Sequence, residues 1–127
     1  MTKGLKKLID QLAYKMLVLE GPIHLLAVCT GGMTLTKEIA LRLGEAGKQV
    51  DCFEVWTNLI DGKREISKTD FTPDKYQGTV VIIEDVIWQG RAIPPIKDML
   101  EKIKPNQKIY IAALLDCEHR ADFSVFH

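Results

Sequence analysis

Val80-Val81-Ile82-Ile83-Glu84-Asp85-Val86-Ile87-Trp88-Gln89-Gly90-Arg91-Ala92 is the stretch whose reading decides the fold. Its opening run is entirely β-branched, which favours a strand buried on both faces. Two adjacent acids come at the C-terminal end of that run. Gly90 then marks a turn, and Ile93, Ile96, Leu100 and Ile103 recur at helical spacing. Pro94 and Pro95 fit that helix only in its first turn. The stretch therefore predicts a strand, an acid pair, a turn and a helix in succession. A turn that opens a helix exposes free backbone N–H groups at the positive end of the helix dipole, so an anion belongs there. Gly90 lets the backbone approach such a ligand closely. Glu84 and Asp85 would repel a second phosphate, yet they accept hydrogen bonds from vicinal hydroxyls. A phosphate beside a diol describes ribose 5-phosphate. The plainer reading is a buried strand with two solvated acids at its end.

Working outward, the same alternation continues. Leu5, Leu8, Ile9, Leu12, Met16 and Leu17 place an amphipathic helix over about Lys3–Leu19, stopped by Gly21-Pro22. Ile23–Cys29 is a short apolar run with the length of a buried strand. Thr30-Gly31-Gly32 breaks it, and Leu35, Ile39 and Leu43 line a second helix ending near Gly44–Gly47. Val50–Trp56 alternates as a strand. Thr57–Gly78 is polar and carries Asp61-Gly62, a hairpin signal, with a short return strand at about Arg64–Ser67 and then a loop. Thr79–Ile83 is the most apolar strand of the chain. Lys108–Leu115 predicts another strand, and Phe123–Phe126 a last one. Strands alternating with helices imply an α/β fold: three layers, a mostly parallel sheet flanked by helices, Rossmann-like in plan. Ligands in such a sheet bind beyond the C-terminal ends of the strands.

The whole chain sets bounds on function. Its 127 residues suit a single domain spanning 1–127. Apolar residues at 46% are enough for a core without metal or disulfide staples. Lys+Arg and Asp+Glu stand at 17 each, so bulk charge lends no support to an RNA partner. Cys29, Cys52 and Cys117 are scattered and lack CxxC spacing, which suits reduced cytoplasmic thiols better than zinc or disulfides. No apolar run approaches the roughly 20 residues that span a bilayer.

The Val80–Ala92 block resembles the signature of type I phosphoribosyltransferases: a hydrophobic strand, two acids, two hydrophobic residues, then a turn and a helix. The resemblance implies that Glu84 and Asp85 bind the ribose hydroxyls of phosphoribosyl pyrophosphate (PRPP). It also implies that Trp88, Gln89, Gly90, Arg91 and Ala92 form the 5′-phosphate turn. Ala27–Met33 resembles the family's pyrophosphate loop, which assigns Cys29, Thr30, Gly31 and Gly32 to the pyrophosphate; a simple glycine turn is the alternative. The hairpin near Thr57–Lys68 falls where the family keeps its flexible catalytic loop, with Lys63 or Arg64 as the cation for the leaving group, or as a solvated charge. Leu114–Arg120 is similar to the base-side segment of the pyrimidine-operon regulator/uracil branch. Asp116 there either approaches the base or a metal-bound water, or only caps the strand end. His119 reads as a surface residue. The hypoxanthine-guanine branch shares the Glu-Asp pair followed by Val-Ile, so the base stays open between purine and pyrimidine.

The resemblance implies transfer of the phosphoribosyl group from PRPP to a nitrogenous base with release of pyrophosphate. Mg²⁺ is the implied cofactor, reached by Glu84 and Asp85 indirectly through ribose hydroxyls or water. A homo-oligomer is implied as well. The alternative is a catalytically weak or inactive relative that binds PRPP or a nucleotide and regulates, with RNA as one conceivable target and Lys3, Lys6, Lys7 and Lys15 as a basic face. Four departures bear on that choice. Gln89 and Ala92 stand where many relatives have threonines, with Arg91 as a compensating charge. Thr30 stands where many have Lys or Arg. Trp88 is a large apolar residue in the turn, free to pack on the sheet or cover a partner. Relatives usually continue past the position of His127 into a hood over the base, so a partner subunit completes the pocket, the base is held loosely, or the sequence is a piece.

Overall fold

The computed structural model describes residues 1–29 and 31–126. In chain order the elements are α1 (Lys3–Lys15), β1 (Ile23–Cys29), α2 (Gly32–Glu45), β2 (Val50–Ile60), β3 (Lys63–Thr69), β4 (Thr79–Ile87), α3 (Ile93–Ile103), β5 (Ile109–Asp116) and β6 (Phe123–Phe126). The strands form one sheet in the order β3-β2-β1-β4-β5-β6. Every neighbouring pair is parallel except the β2–β3 hairpin.

Two apolar layers explain why the sheet is buried at its centre. On one face, Ile9, Leu12 and Met16 of the N-terminal segment and Leu35, Ile39 and Leu43 of α2 pack on Ile23, Leu25, Val81 and Ile83. On the other, Ile93, Ile96 and Leu100 of α3 pack on Leu26, Val80, Ile82 and Ile111, beside Phe53, Phe71 and Tyr76. Each such side chain contributes roughly 1.5–3 kcal/mol of transfer free energy. Alternate residues of β1 and β4 serve opposite layers, so Leu25–Val28 and Val80–Ile83 are apolar without a break, as burial on both faces requires. The three-layer α/β expectation holds.

The topology places a crevice. β1 is flanked by β2 on one side and β4 on the other, both parallel to it. The chain leaves β1 for α2 on one face and leaves β4 for α3 on the opposite face. The two turns therefore diverge at the C-terminal ends of adjacent strands, which is the switch point where such sheets bind ligands.

Several boundaries differ from the sequence reading. The first helix closes at Lys15 and continues as a 3-10 turn, Met16–Val18. β4 runs past Ile83 through both acids to Ile87, because Glu84 and Val86 still pair with Ala113 and Leu115. The hairpin expected around Asp61-Gly62 is present and longer than expected: β2 extends to Ile60 and pairs with β3 over Lys63–Thr69, with a register irregularity at Trp56/Thr57. Asp61 and Gly62 both take positive φ, 49° and 79°, the geometry of a tight hairpin turn. No helix among the described residues is long and apolar enough to cross a membrane.

Candidate functional site

A cleft of about 340 Å³ opens at the switch point. Its walls include Cys29 and Gly31 from the first turn, Thr57 and Arg64 from the hairpin, Glu84 and Asp85 from β4, and Trp88 through Ala92 from the second turn. Residues far apart in sequence thus meet in one concavity. Thr30 lies outside the described residues. Gly32 opens α2 rather than lining the cleft.

The first turn and the acid pair touch. A Cβ on Gly31 would lie 2.6 Å from Asp85 Oδ2, so the bare glycine is what lets the carboxylate sit against that turn. Gly32 meets a similar limit, since its Cβ would lie 2.7 Å from the Ile83 carbonyl oxygen. The glycines are therefore more than chain punctuation. Asp85 Oδ1 accepts the Val86 N–H at 2.8 Å, which fixes the rotamer of the acid.

Glu84 is poised differently. Burial, then the neighbouring Asp85 charge, raises its pKa to about 7. Its Oε2 is buried and has no hydrogen-bond partner, and so is Arg64 Nε across the same cleft. A buried acceptor and a buried donor left open in one concavity describe a place for a polar ligand, because unpaired buried groups are costly otherwise. Lys63, the other candidate cation, borders a separate groove against α3 and not this cleft.

The second turn supplies its donors in an unusual way. α3 begins at Ile93, whose N–H is engaged by the Gly90 carbonyl at 3.2 Å. Pro94 and Pro95 follow and have no N–H. Two of the four N–H groups that a helix start normally offers are therefore missing. Among the described residues, no hydrogen bond engages the backbone N–H of Gln89, Gly90, Arg91 or Ala92. An anion here would be held by the turn itself. Gly90 has φ +63°, and its missing Cβ makes room for Arg120, whose Cδ would otherwise lie 2.9 Å away.

Arg120 is a contact that sequence reasoning missed; the segment containing it reads as base-side, and only the fold sets it against Gly90 of the second turn. Thr57 was missed too, for its signal was a β-bulge. Asp116 belongs to the same support. It is 1% exposed, and its carboxylate accepts the N–H groups of Glu118 at 3.2 Å and Ala121 at 2.7 Å. Burial alone would raise its pKa, but these bonds and one from the Arg120 N–H outweigh it, leaving the pKa lowered. The geometry supports the capping alternative: Asp116 shapes the β5–β6 connection and does not line the cleft. Trp88 does not pack on the sheet, being 69% exposed at the cleft wall.

No group of three or more His, Cys, Asp and Glu side chains among the described residues forms a metal cage. The Glu84–Asp85 pair still suits Mg²⁺, which keeps several waters and takes one or two carboxylates together with substrate oxygens.

Comparison with known proteins agrees with this geometry. No family model matches the chain. The chain is 32% identical over 130 residues to the bifunctional protein PyrR of Geobacter sp. strain M21, covering 92% of this chain and 72% of that one. The bifunctional protein PyrR of Citrifermentans bemidjiense matches equally, at 32% identity over the same shares. Among solved structures, a hypoxanthine-guanine phosphoribosyltransferase from Bacillus anthracis superposes with a TM-score of 0.77 at 23% identity, covering 96% of this chain and 76% of that chain. A purine phosphoribosyltransferase from Pyrococcus horikoshii gives a TM-score of 0.77 at 20% identity, covering 99% and 84%.

Proposed function

The chain belongs to the type I phosphoribosyltransferase family, and on that footing we propose that it binds PRPP with Mg²⁺ in the switch-point cleft and transfers the phosphoribosyl group to a purine or pyrimidine base. The observation that carries this reading is the meeting of both turns, the acid pair and Arg64 around one cleft, with Glu84 Oε2 and Arg64 Nε buried and unpartnered.

The residues divide the work. The free N–H groups of Gln89–Ala92, with the Arg91 charge, receive the 5′-phosphate. Glu84 and Asp85 accept hydrogen bonds from the ribose 2- and 3-hydroxyls. Gly31, beside Cys29, lets backbone approach the pyrophosphate. Arg64 faces the leaving group from the hairpin, where charge accumulates as the C1–O bond breaks. The base nitrogen lone pair forms the new bond to C1, the C1–O electron pair departs on pyrophosphate, and the base loses its N–H proton to solvent. Mg²⁺, reached through ribose hydroxyls or water on Glu84 and Asp85, would neutralise pyrophosphate charge. Asp116 acts from behind by shaping the loop that carries Arg120. In this reading residues 1–127 make one domain, and the chain assembles as a homo-oligomer.

A specific observation favours a second reading, that of a weakly active or inactive regulatory relative binding PRPP or a nucleotide. Ala92 brings no side-chain donor to the second turn, and Pro94 and Pro95 remove two N–H groups from the start of α3. The two readings part in one assay: PRPP-dependent pyrophosphate release with Mg²⁺ and a panel of purines and pyrimidines. Turnover with one base class supports transfer. No turnover, with PRPP still raising the melting temperature, supports the regulatory reading. If PRPP shifts the melting temperature of the parent no more than that of Glu84→Ala/Asp85→Ala, the cleft assignment is wrong.

A further inference from the structure

We propose that the Trp88 indole is the stacking platform for the nucleobase, and so the residue that sets affinity for the base half of the ligand; this rests on the phosphoribosyl reading of the cleft. A tryptophan in a turn would ordinarily be explained by burial against the sheet. Trp88 is 69% exposed and lines the cleft, so packing does not explain it. It is the only aromatic side chain among the described residues of the cleft wall. Much of the remaining wall is polar or charged, through Thr57, Arg64, Glu84, Asp85 and Gln89. Val86, two residues earlier on β4, is 43% exposed and lines the same cleft, extending an apolar strip toward the indole.

Position and chemistry then agree. Trp88 sits in the chain between the acids that face the ribose diol and the turn that faces the phosphate. A sugar held by both leaves its C1 substituent in a cleft whose flat apolar surface is this ring. A base offers a π-face whatever its identity, so an indole platform adds affinity without choosing between purine and pyrimidine. Discrimination must come from hydrogen bonds made elsewhere. The platform therefore predicts a similar gain for both base classes over ribose 5-phosphate alone.

The test compares ribose 5-phosphate with a purine and a pyrimidine nucleoside 5′-monophosphate, by calorimetry, on the full chain and on Trp88→Leu and Trp88→Phe. Leucine keeps apolar bulk in the turn but removes the ring. The expected result is a loss of roughly ten- to a hundredfold in nucleotide affinity for Trp88→Leu, with a much smaller change for ribose 5-phosphate, and recovery in Trp88→Phe. In a Trp56→Phe background Trp88 is the sole tryptophan, and its fluorescence should be quenched by the nucleotides and not by ribose 5-phosphate. If the parent binds ribose 5-phosphate and Trp88→Leu keeps the parent's ratio of nucleotide to sugar-phosphate affinity, the platform is refuted while the cleft reading stands. A ratio unchanged together with a fall in solution mass for Trp88→Leu also refutes it and makes the indole a protein contact. Failure of the parent to bind ribose 5-phosphate overturns the cleft reading and the platform together.

Discussion

The two strand-to-helix turns at the cleft look alike in sequence and are built on different principles. The turn after β1 is short, and α2 opens on Gly32 with residues that all keep their N–H. Its constraint comes from in front, because Asp85 occupies the space a Gly31 side chain would need. The turn after β4 is longer and leads into a helix whose first turn has lost the N–H groups of Pro94 and Pro95. Its constraint comes from behind, where Arg120 lies against Gly90 on a loop held by Asp116. The lesson is that a helix start is one route to an anion site and a braced turn is another. The first keeps its donors in the helix; the second keeps them in the turn and needs support from the rest of the fold.

That contrast can be broken most forcefully at the brace. Asp116→Ala leaves several backbone N–H groups without their buried acceptor, so a loss of about 3 kcal/mol in unfolding free energy is expected. Urea denaturation measures it. Asp116→Asn keeps one acceptor oxygen and should cost less. An alanine variant as stable as the parent would mean that the loop holds itself and the brace is not needed.

The same substitution placed in each turn separates the two principles next. Gly31 has an ordinary backbone conformation, φ −89°, so Gly31→Ala should barely change stability. It should instead displace Asp85 and weaken Mg²⁺-PRPP binding by about a hundredfold, about 2.7 kcal/mol. Gly90 has φ +63°, so Gly90→Ala should cost about 1–2 kcal/mol in stability before Arg120 is considered. Melting curves with and without PRPP read both. Equal stability losses in the two variants would erase the distinction.

The acid pair gives the next effect through pH. Glu84 has its pKa raised to about 7 by burial and then by Asp85. Since the folded value lies above the unfolded one, stability from this group is fully present below about pH 4.5 and is lost as pH rises through 7. Ligand binding has the opposite sign if Glu84 holds the ribose as proposed, because hydroxyls donate to the ionised form. Affinity for ribose 5-phosphate should therefore strengthen about tenfold from pH 6 to the plateau above pH 8. Glu84→Gln should flatten both profiles, and the difference between parent and variant removes the ligand's own titration. Parallel profiles in the two proteins would show that Glu84 does not titrate in this range.

Much of this architecture was legible in the sequence, and the reasons are physical. The centres of β1 and β4 are buried on both faces, so Leu25–Val28 and Val80–Ile83 had to be apolar, and unbroken apolar runs of strand length announce them. The Glu84–Asp85 pair stood out because charge at the end of such a strand needs a partner. The hairpin was read too short because both its faces meet water, and polar alternation there resembles a loop. Arg120 and Asp116 were misjudged or left open because their role depends on which turn the β5–β6 connection lies against. Trp88 stands out in the sequence as a large apolar residue in a turn, but only the fold shows that it is exposed and no part of the core.

The smallest effect tests whether the second turn's donors really reside in the turn. Pro94→Ala would return one N–H to the start of α3, beside the proposed 5′-phosphate turn. A single added donor at a helix start contributes about 0.3–1 kcal/mol to anion binding, so affinity for inorganic phosphate or ribose 5-phosphate should rise by about two- to fivefold. Proline restrains the unfolded chain, so the same change should lower stability by about 0.4–1 kcal/mol. The two quantities thus move in opposite directions, which no general loosening of the turn would produce. Unchanged phosphate affinity would mean that α3 does not aim its first turn at the ligand, and that the Gln89–Ala92 backbone carries the anion alone. A rise much above fivefold would mean the reverse: the helix start is the stronger donor, and the prolines are what keep this site weak.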